Sequence, residues 1–155
     1  MGVFPTKILL ATDGSEEATL AASAAADLAK STASELHVVH VGEYLPTVFA
    51  ATELEPTQVE SDARKLLEEQ VRRIEGAGGT VTQAHLRLGR PHHEILAVAE
   101  QIGAGVIVIG SRGLGSLRRA LLGSVSESVV RHAHCPVFVV RKEEPEVGIA
   151  EEGLV

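Results

Sequence analysis

Apolar positions along the chain fall into short continuous runs separated by longer stretches of helical period. The run 7–11 reads as a buried strand, broken by Asp13, Gly14 and Ser15 before an alanine-rich helix that opens with Glu16 and Glu17, acids suited to a helix N-terminus. Residues 36–41 form a second strand of buried type. In 58–75 the residues Val59, Ala63, Leu66, Leu67, Val71 and Ile74 fall on one helical face, and Gly76, Gly78 and Gly79 end that helix. Residues 81–88 alternate as a third strand with one wet face would. Pro91 opens a helix carrying Ile95, Leu96, Ala99 and Ile102; 106–109 is a fully apolar fourth strand; a glycine-rich loop leads into a helix ending near Ala133; and Val137 to Val140 make a fifth strand entered through Pro136.

Strands alternating with helices predict right-handed crossovers and one doubly wound parallel sheet of α/β class, in which ligands sit beyond the C-terminal strand ends where strand order reverses. The loops to search are 11–15, 39–43 and 110–126. No composition shift marks a second domain, so 1–142 reads as one unit and 143–155, with five glutamates and no periodicity, as a flexible acidic tail. The connection 42–57 is long for its type and holds Tyr44, Leu45, Val48, Phe49 and Leu54, which suits a lid or a partner contact.

Composition narrows the function. Fourteen basic against 21 acidic residues leave a net charge of −7, which argues against nucleic acid as a partner. No apolar run reaches the ~18–20 residues of a membrane span, a charged stretch followed by an apolar one is missing from the N-terminus, and Cys135 is the single cysteine; together these predict a protein of the reducing cytoplasm with no membrane association. The histidine pairs His92-His93 and His132/His134 lack zinc-ligand spacing, and His134 beside Cys135 raises the question of a reactive thiol.

The loop after the fourth strand carries the chemistry. Gly110-Ser111-Arg112-Gly113-Leu114-Gly115-Ser116 is followed, beyond Leu122, by Gly123-Ser124-Val125-Ser126, so two glycine turns bracket one helix entrance. Glycines let backbone N–H groups approach an anion, and a helix start offers unpaired N–H groups with partial positive charge, so phosphate is the expected guest. Ser124 and Glu127 have capping-box spacing, and Arg112, Arg118 and Arg119 add positive charge. The same glycines also suit a tight surface connection with Ser124 as an ordinary cap. A P-loop needs Lys where Ser116 stands, and a dinucleotide fingerprint needs Gly where Arg118 stands.

The spacing Gly110-x2-Gly113-x9-Gly123-Ser124 resembles the signature of the universal stress protein family in its ATP-binding branch, and the resemblance runs over nearly the whole chain, through Ala11-Thr12-Asp13-Gly14-Ser15, His40-Val41, Gly89-Arg90-Pro91 and Cys135-Pro136-Val137. It implies a Rossmann-like or flavodoxin-like domain over 1–142 with strand order 3-2-1-4-5, ATP with Mg2+ at the C-terminal edge of the sheet, and a homodimer formed through the last strand, 137–141, bounded by Val137 and Arg141. By this analogy Ala11, Val39 and Val41 wall the adenine; Asp13 takes ribose hydroxyls or contacts Mg2+ indirectly; Gly110, Arg112, Gly113 and Gly115 line ribose and phosphates; and Gly123, Ser124, Val125 and Ser126 hold the terminal phosphates. Many relatives have proline where this chain has Ala11. The implied role is nucleotide-gated binding of a protein partner in stress response. Two other readings share these residues: a slow ATPase, for which Asp13 is the acid at hand and a Walker lysine is missing, and a nucleotide-free dimerisation module.

Overall fold

The computed structural model describes residues 2–44, 56–112 and 122–142. The strands β1 (Lys7–Ala11), β2 (Glu35–Glu43), β3 (Gln83–Gly89), β4 (Val106–Gly110) and β5 (Val137–Val140) alternate with helices α1 (Glu16–Thr32), α2 (Pro56–Gly76), α3 (Pro91–Ile102) and α4 (Ser124–His132). They form one parallel sheet in the order β3-β2-β1-β4-β5. The expected α/β fold and strand order are therefore observed.

Alternation along the central strands sorts side chains into two layers. Ile8, Leu10, Leu36, Val38, Val106 and Val108 pack against α1 and α2, while Leu9, Ala11, Val39, Val41, Ile107 and Ile109 pack against α3 and α4. The α1 stripe Ala18, Ala21, Ala22, Ala25 and Ala29 is buried, and its small side chains let the helix lie close to the sheet. Ala11 is registered with Val39 on one side and Ile109 on the other. Strand order reverses between β1 and β4, so the crevice that an α/β sheet offers a ligand opens above these residues.

Several boundaries differ from expectation, most of them by one or two residues. β2 runs on through Gly42 and Glu43 because these pair with Leu88 and Gly89 of β3. β3 begins at Gln83, not Val81; Val81 packs instead against the core. The capping box expected of Ser124 and Glu127 does not form: Gly123 is the N-cap, in extended geometry and without a side-chain cap, and Ser124 is already helical. Among the described residues no helix is long and apolar enough to cross a membrane. Most of the segment 42–57, the acidic tail 143–155, and the expected site residues Gly113 and Gly115 with Arg118 and Arg119 lie outside the described residues.

Candidate functional site

A cavity of about 780 Å³ opens at the C-terminal ends of β1, β2 and β4. Its size falls within the ~300–1,000 Å³ usual for small-molecule sites. Ala11, Asp13, Val39, Val41, Gly110, Arg112, Gly123, Ser124, Val125 and Ser126 all line it, so every expected site residue among the described ones is gathered at one place.

Its floor is apolar. Ala11, Val39, Val41, Ile95 and Ile109 belong to the core beneath α3 and α4 and also face the cavity, so core and wall are the same side chains. His40 secures the floor to the turn after β1. Its Nδ1 lies 2.7 Å from the carbonyl oxygen of Thr12, which can only accept, so Nδ1 carries the proton. In that turn the Asp13 carboxylate accepts from the Ser15 N–H at 2.9 Å, and Gly14 sits at φ +81°, in the left-handed region that glycine enters without strain. Ser15 then caps α1 by accepting from the Ala18 N–H at 3.2 Å.

The opposite rim is the start of α4. Its first intrahelical bond runs from the Glu127 N–H to Gly123 O at 2.9 Å, so the N–H groups of Ser124, Val125 and Ser126 precede the helical ladder, and all three residues line the cavity. Ser126 contributes its backbone and not its hydroxyl. The Oγ is buried and shares its proton between Ser111 O at 2.6 Å and Gly123 O at 3.0 Å, so the hydroxyl closes the loop's neck. Ser111 O also accepts from the Gly123 N–H, and the Ser111 N–H donates to Val140 O at 2.8 Å.

Gly110 lies tightly against α1: a Cβ there would stand 3.1 Å from the backbone carbon and the Cβ of Glu17. Glu17 itself turns inward from the first turn of α1. Its carboxylate accepts from Ser111 Oγ, from the Arg112 N–H at 2.7 Å and from the Arg112 guanidinium at 3.0 Å. Burial pushes this carboxyl up, but the hydrogen bonds from Ser111 and Arg112 and the guanidinium charge outweigh it and hold the group below the ordinary range. The charge of Arg112 is thereby matched within the fold.

Sequence reasoning missed the walls contributed by α2 and α3. Gln58, Asp62 and Leu66 close one side, and Arg90 and His92 stand at the start of α3. The second group has a sequence signal, because 89–92 follows the C-terminal end of β3 and obeys the same strand-end rule as the loops 11–15, 39–43 and 110–126. Burial keeps His92 neutral to lower pH than usual, as do the neighbouring His93, His132 and Arg90 charges. Among the described residues no group of three or more His, Cys, Asp or Glu is placed to hold a metal. His134 contacts Glu100 at 3.2 Å, and burial pushes the Cys135 thiol up, which makes it less reactive.

The sequence profile described as the Universal stress protein family matches residues 5–141. The chain belongs to this family. A relative in Bacillus subtilis, universal stress protein YxiE, is 35% identical over 148 residues, covering 87% of this chain and 98% of its own. The solved structure of the protein MJ0577 shares 30% identity at a TM-score of 0.77, over 92% of this chain and 99% of that one. Two further structures share the fold: a universal stress protein in complex with cAMP, at 22% identity and a TM-score of 0.71 over 90% and 99% of the two chains, and the Archaeoglobus fulgidus universal stress protein in complex with dAMP, at 23% identity and 0.65 over 90% and 99%.

Proposed function

We propose that this universal stress protein binds ATP in the cavity and acts as a nucleotide-dependent binding protein in the stress response. The observation that carries the proposal is the uncapped start of α4 at the rim of an apolar cavity. The N–H groups of Ser124, Val125 and Ser126 and the helix dipole favour anionic charge there, by about 0.3–1 kcal/mol per charge at an exposed terminus and more in a partly buried one. The floor of Ala11, Val39 and Val41 suits an adenine ring, and Asp13 lines the same cavity, just beyond the end of β1, as the acid proposed to meet ribose hydroxyls. Gly123 has φ −68° and ψ 161°, which any residue adopts, so the turn does not require glycine, and close approach of a phosphate is the role proposed for it. Gly113 and Gly115 belong to the proposed phosphate contacts by their place in the signature.

Mg2+ would enter with the triphosphate and supply charge neutralisation, with Asp13 as its indirect contact. The binding domain is proposed as 1–142 with 143–155 as its tail, working in the ATP-rich cytoplasm. A protein partner that reads the nucleotide must bind the loaded and empty chains with different affinity.

Pairing of two copies through β5 is part of the proposal. β5 ends the sheet, and Phe138 is 51% exposed on it. Val139 packs into the α3–α4 core, so Phe138→Glu is the cleaner test; the variant should elute as a monomer, and an unchanged elution volume counts against the interface. For the nucleotide, freshly purified protein is denatured and the released small molecules are separated by chromatography. Near-stoichiometric adenine nucleotide supports the site, whereas an empty protein that also ignores added ATP and Mg2+ leaves the cavity without this role.

A further inference from the structure

Glu17 is one of two adjacent acids in the first turn of α1, and the two are used differently. Glu16 lies outside and pairs with Lys142 at 3.0 Å. Glu17 is turned under the cavity rim, where its side chain is 9% exposed and that of Arg112 is 15% exposed. The backbone N–H and one guanidinium nitrogen of Arg112 both donate to this one carboxylate, as does Ser111 Oγ. An anion therefore stands directly behind the rim residue on the phosphate side of the cavity.

We infer that Glu17 is a positioning residue that sets the site's selectivity among nucleotides of different phosphate charge, acting through Arg112. The inference rests on the reading of the cavity as an adenine nucleotide site. The carboxylate does two things at once. It fixes the arm Gly110-Ser111-Arg112 against α1, a close approach that the missing side chain of Gly110 eases. It also matches the cation of Arg112, so that a guest phosphate on that side of the cavity meets the neutral N–H groups of α4 beside a paired, not an unmatched, Arg112 guanidinium. Each additional phosphate charge then gains less than it would beside an unmatched arginine, and discrimination between AMP and ATP is held shallow.

Glu17→Gln keeps an acceptor of nearly the same shape and removes the charge. The test measures adenosine, AMP and ATP binding to the wild type and to this variant by calorimetry at low and high salt. The ratio of ATP to AMP affinity is expected to rise about tenfold at low salt, with adenosine unchanged and the gain shrinking at high salt. Arg112→Gln leaves the Glu17 charge unmatched and should lower the same ratio, and the double variant should return it towards the wild-type value. The inference is overturned if both single variants move the ratio in the same direction, or if Glu17→Gln lowers thermal stability and leaves the ratio where it was. A wild type that binds none of the three compounds removes the underlying nucleotide reading. A wild type that binds all three with an unmoved ratio in Glu17→Gln removes only the role given to Glu17.

Discussion

Helices α1 and α4 both begin at the C-terminal edge of the sheet and both border the same cavity, yet their starts are finished in opposite ways. At α1, Ser15 accepts from Ala18, Asp13 accepts from Ser15, and Glu16 and Glu17 place two negative charges in the first turn. That start is filled by the chain's own oxygens. At α4 the cap is Gly123, which has no side chain to accept from the first N–H groups, and the buried Ser126 hydroxyl donates backwards to Ser111 and Gly123. Neighbouring helix starts thus divide the work: the closed one stabilises the fold, and the open one is left for an external anion.

The comparison breaks most directly by making α4 resemble α1. Gly123→Asp places a carboxylate at the N-cap, in a backbone geometry that accepts it, and should weaken ATP binding about a hundredfold, or about 2.7 kcal/mol, while leaving the melting temperature unchanged or slightly raised. Calorimetry showing wild-type affinity would mean that the open start is not where the phosphates sit. Ser126→Ala removes the hydroxyl that closes the neck onto Ser111 O; a loss of about 1 kcal/mol in urea denaturation is expected, with ATP affinity reduced several-fold through the loosened rim. Ser15→Ala sharpens the contrast from the other side. It should cost about 1 kcal/mol of stability and leave ATP affinity within about threefold, and a nucleotide defect equal to that of Gly123→Asp would erase the distinction between the two helices.

The smallest effect lies away from the cavity. His37 Nδ1 and His85 Nε2 meet at 3.1 Å between β2 and β3, both residues are buried, and burial holds both below the usual 6.5, with Lys7 and Arg87 opposing protonation and Glu35 favouring it at His37. The unfolded chain takes up protons near pH 6.5 that the folded pair resists. Stability from this pair is therefore complete above that pH and declines as pH falls below it, and His85→Gln should flatten the decline in denaturation measured between about pH 6.5 and 5. Glu17, held below its ordinary value, acts in the same direction in the lower window beneath about pH 4.5. If nucleotide affinity follows the histidine titration instead, the sheet and the site are not independent.

Much of this was legible before any coordinates. β1 ends, and α3 and β5 begin, where expected because the Asp13-Gly14-Ser15 break, Pro91 and Pro136 act locally. The end of β2 was not legible, since pairing with β3 carries it past the apolar run. The α4 cap was misread because Ser124 has the right chemistry for an N-cap, whereas the bond from the Gly123 N–H to Ser111 O, fifteen residues before Ser126 in the neck it closes, sets the chain one residue earlier. Helical period places Glu17 with the buried Ala21 and Ala25 while Glu16 falls off that stripe, but the partners that hold Glu17 inward, Ser111 and Arg112, come from a loop far along the chain. The strand-end residues of the site follow from topology, while the α2 and α3 walls depend on how helices settle on the sheet.

The central claim concerns where phosphate charge is received, and amide resonances report it residue by residue. Isotope-labelled protein is titrated with adenosine and then with ATP and Mg2+. The account predicts that the Val125 and Ser126 amides move strongly with ATP and little with adenosine, while Ala11, Val39 and Val41 respond to both. Equal responses of Val125 and Ser126 to the two compounds, or the largest ATP-specific shifts at Arg90 and His92 of α3, would contradict it.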